Sequence, residues 1–333
     1  MAGAPFGMAK RILFLSKGDD SPSTRYRAIQ YFPLLRQAGF AVAHSSMAGG
    51  LASYVNALRC AATADIVVVL RKTFPLPMLW LLRRLSRKLV FDFDDAIFCN
   101  TDGSPSATRL RRFAAMANSC DHVFAGNGFL ADNAARFNPA VTVVPTCVET
   151  KRYFFEASKS VEMIDLVWIG SRSTRKYLLE VLPALRLAAA RLPRLRLKII
   201  ADFDLPEAGI QTLAVAWSSA TEAKELASAH IGIAPMRDDD WSRGKCALKV
   251  LQYMASGLPV ISSEVGANAE VLEHGNSGYL VKSDAEWCER IVELAEDSKL
   301  RARFGEAGRL RVLNDYSTDP VFSRMLSVFT ALS

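Results

Sequence analysis

Three stretches of the sequence gather residue types that can do chemistry. The first is RDDDWSRGKC (237–246), a loop rich in Asp, Arg and Lys that follows the apolar run IGIAPM and leads into the helical pattern KCALKVLQYMASG. Backbone amides at such a helix start, together with Arg243, Lys245 and Lys249, make a cradle for a diphosphate, because helix N-termini favour anions. A solvated basic loop is the plainer reading of the same residues. The second stretch is FDFDD (91–95), with carboxylates at the end of an apolar run. Carboxylates this close repel one another, so one can hold a raised pKa and take part in proton transfer. They can instead cap the following helix, pair with Arg109, Arg111 or Arg112, or hold a metal. The third is GNGFLA (126–131), which matches G-x-G-x-x-(G/A) with Glu149 about 20 residues further on, where a ribose-binding acid is expected. It lies late in its array rather than on an opening strand, which makes it a weak dinucleotide signal.

These stretches need elements to position them. Short apolar runs such as RILFLS (11–16), FAVAHSS, ADIVVVLR and LVFDFDD alternate with longer amphipathic patterns in the first half. IDLVWIG, RLKIIAD, a short AVAWSS, IGIAPM and LPVISS alternate with helical patterns in the second, and the ending is helical. Continuous apolar strands separated by helices predict parallel sheets covered on both faces. The polar stretch VETKRYFFEASKSVEM breaks the pattern, so two βαβ arrays are expected with a joint near 150–162. Ligands of such sheets bind at the C-terminal strand edges, and two of them on one linker predict a cleft between those edges.

Composition sets the bounds. At about 150 residues per domain, 333 residues suggest two domains. With 50% hydrophobic and 23% charged residues, collagen-like, disordered and disulfide-scaffold classes are excluded. No apolar run approaches the roughly 20 residues needed to cross a bilayer, and MAGAPFGMAKRILFLS is too short in its apolar part for a signal peptide. Residues 1–9 read as a loose leader, and a cytoplasmic location is expected. Cysteines 60, 99, 120, 147, 246 and 288 form no C-x-x-C pair, and histidines 44, 122, 230 and 274 form no metal-spaced set. The net charge of +7 favours anionic partners without choosing among them.

The stretch RGKCALKVLQYMASGLPVISSEVGANAEVLEHGNSGYLV (243–281) resembles the family 4 glycosyltransferases, retaining enzymes of GT-B fold that use nucleotide sugars. The resemblance runs over nearly the whole chain. Its implied fold class is α/β, with two Rossmann-like parallel-sheet domains facing across a cleft. In that family a loop and helix of this kind carry two glutamates, the second holding the ribose and the first lying against the donor sugar. Those positions fall here on Gln252 and Gly244, so both carboxylates are missing. A subgroup with K-x-x-x-K-x-x-(E/Q)-Y-M-A is closer, matching Lys245, Lys249 and Gln252. Asp238, Asp239 and Asp240 are the nearest substitutes for the first glutamate.

The resemblance implies a domain of residues 1–155 on the acceptor side, a nucleotide-sugar domain of 156–317, and a final helix, 318–333, packing back on the first domain. It implies transfer of a sugar from a nucleoside-diphosphate sugar to an acceptor hydroxyl, in glycan or cell-surface polysaccharide synthesis. The diphosphate is assigned to Lys245, Lys249, Arg172, Arg175 and Lys176, the ribose to Gln252, and further positive charge to Arg25 and Arg27 in the first loop and helix. In many relatives a His-Asp pair stands where Asp94 and Asp95 stand, which makes these the catalytic candidates, Asp94 foremost. No cofactor and no metal are expected. Glycines 266, 275 and 278 read as turn residues. FPLPMLWLLRRLSRKL (74–89) carries Trp80 among leucines and Arg83, Arg84, Arg87 and Lys88, which suits an anionic membrane surface and a lipid-linked acceptor as well as a sheet-covering helix with a basic outer face. Rival readings are a GT-B protein that binds nucleotide sugar without turnover and a dinucleotide-dependent oxidoreductase.

Overall fold

In the computed structural model, residues 9–18 and 21–333 are described. The leader expected at the start falls, up to residue 8, outside the described residues, as do Asp19 and Asp20. The chain divides into two units. The first takes the chain up to Thr146 together with Gly244–Cys246 and Asp319–Ser333; the second takes Cys147–Arg243 and Ala247–Thr318.

The first unit is built on six parallel strands: β1 (Arg11–Ser16), β2 (Ala41–Ser46), β3 (Ile66–Leu70), β4 (Lys88–Phe93), β5 (His122–Ala125) and β6 (Val141–Val143), in spatial order β2-β1-β3-β4-β5-β6. β3 is IVVVL, buried at every position, and its β-branched side chains fit a pleat covered on both faces. Helices Leu51–Ala61, Leu76–Leu85, Ala107–Ser119 and Gly128–Ala135 provide crossovers. The final helix, Thr318–Leu332, brings aromatic rings to this sheet: Phe329 lies 5.5 Å from Phe124 and 6.3 Å from Phe14, edge-on in both cases, and Phe322 stacks on Tyr31 at 6.1 Å.

The second unit has six parallel strands: β7 (Ile164–Ile169), β8 (Leu195–Ala201), β9 (Gln211–Ala216), β10 (Ile231–Ala234), β11 (Val260–Ser263) and β12 (Gly278–Val281), in order β12-β11-β10-β7-β8-β9. Helices Arg175–Arg191 and Asp284–Glu296 close one apolar core, and helix Leu248–Ala255 closes another. β12 is not anticipated by the sequence pattern, being four residues that open on Gly278; there the close approach of the Val260 carbonyl leaves no room for a side chain. Gly278 is thus a strand residue, not the turn residue expected, whereas Gly266 and Gly275 do adopt positive φ, at 51° and 76°.

In both sheets the strand order reverses once. In the first unit, β2 and β3 flank β1, and in the second, β8 and β10 flank β7. Open parallel sheets bind ligands beyond the carboxyl ends of strands at such a switch point. The relevant loops therefore follow β1 and β3 in one unit, and β7 and β10 in the other.

Candidate functional site

In the first unit β4 ends at Phe93, and Asp94 and Asp95 leave the sheet edge. The adjacent strand β3 delivers Arg71, whose φ of 53° puts a non-glycine residue in the left-handed region. Such strain persists only where its surroundings enforce it, and it gathers at functional sites. Arg71 pairs with Asp95, lies 3.6 Å from Asp94 Oδ1 through its Nε, and donates through Nη1 to Ser23 Oγ at 2.6 Å. Ser23 in turn donates to Asp94 Oδ1 at 3.3 Å. One guanidinium thus holds both carboxylates, so the pairing expected with Arg109, Arg111 or Arg112 is replaced by Arg71. Sequence reasoning passed over Arg71; its signal was a lone arginine directly after the apolar run of β3.

Asp92, two residues earlier, is a core residue. It is 1% exposed and accepts from Arg27 Nε at 2.8 Å. Burial pushes its carboxyl up to about 6, against the pull of the Arg27 charge. Arg27, also 1% exposed, hydrogen-bonds the Val144 carbonyl as well. It is therefore fixed in the interior, which removes it from the leaving-group role its place at a helix start suggested. Arg25, two residues earlier on the helix Pro22–Arg27, is exposed.

Gly244–Cys246 belongs to the first unit by its contacts. A Cβ at Gly244 would lie 2.6 Å from both the backbone nitrogen and the Cβ of Ala96, so the glutamate that the resemblance places here has no room. Lys245 Nζ donates to Asp95 Oδ1 at 2.6 Å, and its carbonyl accepts from Asn127 Nδ2 at 2.9 Å. Lys245, expected at the donor diphosphate, pairs with the catalytic candidate Asp95. Burial and the nearby Asp94 push the Cys246 thiol up to about 12, leaving it an unreactive neutral group. GNGFLA resolves into local structure. Gly126 admits the Cys246 sulfur where a Cβ would stand, and Asn127 caps helix Gly128–Ala135 by accepting from Leu130 N at 2.8 Å. The close backbone approach that a pyrophosphate needs is taken by that sulfur.

In the second unit the switch point gathers the other candidates. After β7, Ser171 and Thr174 form a capping box ahead of helix Arg175–Arg191. Lys249 Nζ lies 4.3 Å from the Trp168 ring centre and donates to Thr174 Oγ1 at 3.3 Å. Lys249 stands in the first turn of helix Leu248–Ala255, which starts at Ala247 with φ 53°, has no side-chain cap and carries no acid in its first turn. Its first N–H groups have no intrahelical partner and favour an anion. Arg172 is largely exposed and pairs with Asp202 at 3.2 Å; Arg175 lies 5.6 Å from the Phe203 ring and Lys176 5.0 Å from that of Tyr177. Asp238 forms a two-point pair with Arg243 (2.7 and 3.1 Å), which holds its carboxyl below the usual range. Asp239 Oδ1 caps the next turn through Ser242 N at 2.7 Å, and Asp240 lies 4.0 Å from Arg243.

Gln252, to which the resemblance assigns the ribose, is anchored in the second unit through its amide nitrogen. It is 4% exposed, and its amide nitrogen donates to Tyr153 OH at 2.9 Å and Glu222 Oε1 at 3.0 Å. Tyr153 OH and Trp217 Nε1 donate to the same Glu222 carboxylate at 2.6 and 2.7 Å. A side-chain amide has two N–H donors, and both are committed here, so this nitrogen is not available to a ribose. Glu222, itself 4% exposed, is the carboxylate that sequence reasoning missed. Among the described residues no cluster of His, Cys, Asp and Glu could hold a metal ion.

Residues 164–297, the core of the second unit, match the family described as Glycosyl transferases group 1. The match falls on less than half of the chain, and it is a likeness of this segment to group 1 glycosyltransferases. Spore coat protein SA of Bacillus subtilis is 35% identical to the chain over 81 residues, 23% of this chain and 22% of that protein. The N-acetyl-alpha-D-glucosaminyl L-malate synthase of Bacillus anthracis is 30% identical over 84 residues, 25% of this chain and 22% of the synthase. The match thus spans about a fifth of the length of these curated relatives. In fold the likeness reaches beyond this segment: Anabaena HepE, solved in complex with UDP and glucose, superposes with a TM-score of 0.70 over 97% of this chain and 100% of that one, at 14% identity. The chain has the GT-B fold, with two six-stranded, all-parallel sheets.

Proposed function

We propose that the protein moves a sugar from a nucleoside-diphosphate sugar to an acceptor hydroxyl with retention at the anomeric carbon, in the synthesis of a glycan or cell-surface polysaccharide. The observation that carries this reading is Lys249, held over Trp168 and against Thr174 at the uncapped start of helix Leu248–Ala255, beside the strand switch point. A cation fixed at a helix N-terminus suits the diphosphate of a donor. Arg172, Arg175 and Lys176 add positive charge on the loop after β7. The likeness in fold to HepE, which was solved with UDP, supports a uridine nucleotide as the first donor to try. In this reading the first unit supplies the acceptor surface, with Asp94 at the reacting centre and oriented by Arg71 and Ser23. The leaving phosphate assists removal of the acceptor proton, and charge placement by Lys249 stabilises the departing diphosphate.

Thermal shift with UDP, GDP, dTDP, CDP and NADH tests this. A ligand at about 100 times its dissociation constant stabilises by roughly 2.7 kcal/mol. One diphosphate is expected to raise Tm clearly, and less in Lys249→Ala. No diphosphate response in a folded protein would end the reading, and an NADH response would favour a dinucleotide enzyme. A second reading has its own observation. Gly244 has no room for a carboxylate and the Gln252 amide nitrogen is committed inside the fold, which suits a protein that binds donor without turning it over. Donor hydrolysis that disappears in Asp94→Ala would exclude it.

We also propose that helix Leu76–Leu85 meets an anionic membrane. Leu76 is 58% and Trp80 60% exposed, and Arg84 lies 5.0 Å from the Trp80 ring. An exposed aromatic beside arginines suits a headgroup layer. No helix among the described residues is long and apolar enough to cross a membrane. Co-sedimentation with phosphatidylglycerol vesicles, lost in Trp80→Ala, is the expected result; equal recovery with purely zwitterionic vesicles would count against it.

A further inference from the structure

A cavity of about 510 Å³ opens in the first unit, lined by Lys17, Arg71, Lys72, Arg109 and Arg112, with Ser106 at its edge. It sits at that unit's switch point, since Lys17 directly follows β1 and Arg71 and Lys72 follow β3. The start of helix Ala107–Ser119 also faces it through Ser106 and Thr108, and that helix has no acid in its first turn. Of the five cations, Arg71 is matched by Asp94 and Asp95. Lys72 leans on the Tyr54 ring at 4.6 Å and reaches the Met47 carbonyl at 3.4 Å. Lys17, Arg109 and Arg112 have no carboxylate partner among the described residues. Like charges brought this close repel, and an anion entering the cavity relieves the repulsion.

We propose that this cavity binds the phosphate of a phosphorylated saccharide, so that the acceptor of the transfer is anionic. The cavity is within the range of small-ligand sites and large enough for a sugar with its phosphate. Surplus charge beyond what one carboxylate would match favours a phosphate, which carries about two negative charges and three acceptor oxygens. Arg71 links the cavity to Asp94, so a sugar anchored here by its phosphate would present hydroxyls toward the catalytic candidate. The word acceptor rests on the transferase reading; the anion site does not.

Calorimetric titration of the full chain with glucose 6-phosphate, glucose, inorganic phosphate and UDP tests the proposal, in wild type, Arg109→Ala/Arg112→Ala and Lys17→Glu. Glucose 6-phosphate is expected to bind wild type more tightly than glucose or phosphate does, and about tenfold or more weakly in each variant, in line with loss of charge-assisted hydrogen bonds. UDP affinity is expected to be the same in all three proteins. Unchanged glucose 6-phosphate binding in the variants, or none in wild type, overturns the proposal. Inorganic phosphate binding as tightly as the sugar phosphate overturns its saccharide part. Joint loss of UDP and sugar phosphate reassigns the cavity to the donor and overturns it too. Absence of UDP binding with the sugar-phosphate pattern intact would defeat the transferase reading and leave this site standing.

Discussion

Lys245 and Asp95, 150 positions apart in sequence, meet at 2.6 Å within the first unit. Asp95 also pairs with Arg71, and its side chain is only 7% exposed. The lysine therefore sets the charge balance of the acidic strand end. In Lys245→Met, Asp95 keeps one cation instead of two in a nearly dry setting. Stability is expected to fall by about 1–3 kcal/mol, the usual cost of leaving a buried acceptor short of a partner. Urea unfolding would show it as a lower midpoint at unchanged slope; an unchanged midpoint would mean that Arg71 alone suffices.

Restoring the first family glutamate should harm the protein. Gly244→Glu puts a Cβ 2.6 Å from Ala96 N, a backbone atom that cannot turn away as a side chain could. Overpacking of this kind costs about 1–3 kcal/mol. The melting temperature is expected to drop and, on the proposed transferase reading, the transfer rate is expected not to rise. A variant as stable as wild type and faster would show that the loop can yield.

Restoring the second glutamate should introduce a pH dependence. In Gln252→Glu a new carboxylate would stand about where the amide nitrogen lies, 3.0 Å from Glu222 Oε1. Two buried carboxylates at that distance share a proton, and the pair's folded pKa rises above the unfolded value. Stability contributed by the proton is present at low pH and lost as pH rises through the folded value. The variant should melt closer to wild type at about pH 5 than at about pH 8. A constant gap at both would show that the pair is separated or hydrated.

His230 works in the other direction. Its Nδ1 accepts from Asp165 N at 3.1 Å, which requires that nitrogen to be unprotonated. Burial, helped by the nearby Lys159 charge, pushes the imidazole down from 6.5 to about 4. Between those values the unfolded chain binds more protons than the folded one, so stability falls as pH falls. Asp92 contributes with opposite sign: its folded value of about 6 exceeds the ordinary 3.8, so its contribution grows as pH falls through 6. Comparing wild type with His230→Asn isolates the histidine. The variant should lose less melting temperature between about pH 7 and about pH 5, and equal losses would contradict the assignment.

Much of the fold was legible because parallel strands announce themselves as apolar runs; IVVVL of β3 and the IDLVWI of β7 lie where they were expected. β12 was not, since four residues opening on glycine carry too little pattern. The site was legible only where one segment holds it. Asp94, Asp95 and Lys249 can be picked out from their own loops, but the meaning of Gln252 depends on Tyr153 and Glu222, 99 and 30 positions away. Arg71 likewise gains its role from the pairing of β3 with β4, which no local signal encodes.

The last helix has a consequence for the order in which the protein can be completed. Phe14, Tyr31 and Phe124 belong to the opening part of the chain, yet the rings that pack on them are Phe329 and Phe322. A ribosome that has released the first six strands has made a sheet with part of its apolar surface still open to water. The whole second unit must emerge before that surface can be covered. Among the two units, the one begun first is finished last, so a nascent chain stalled anywhere in between carries an exposed aromatic face for chaperones to shield.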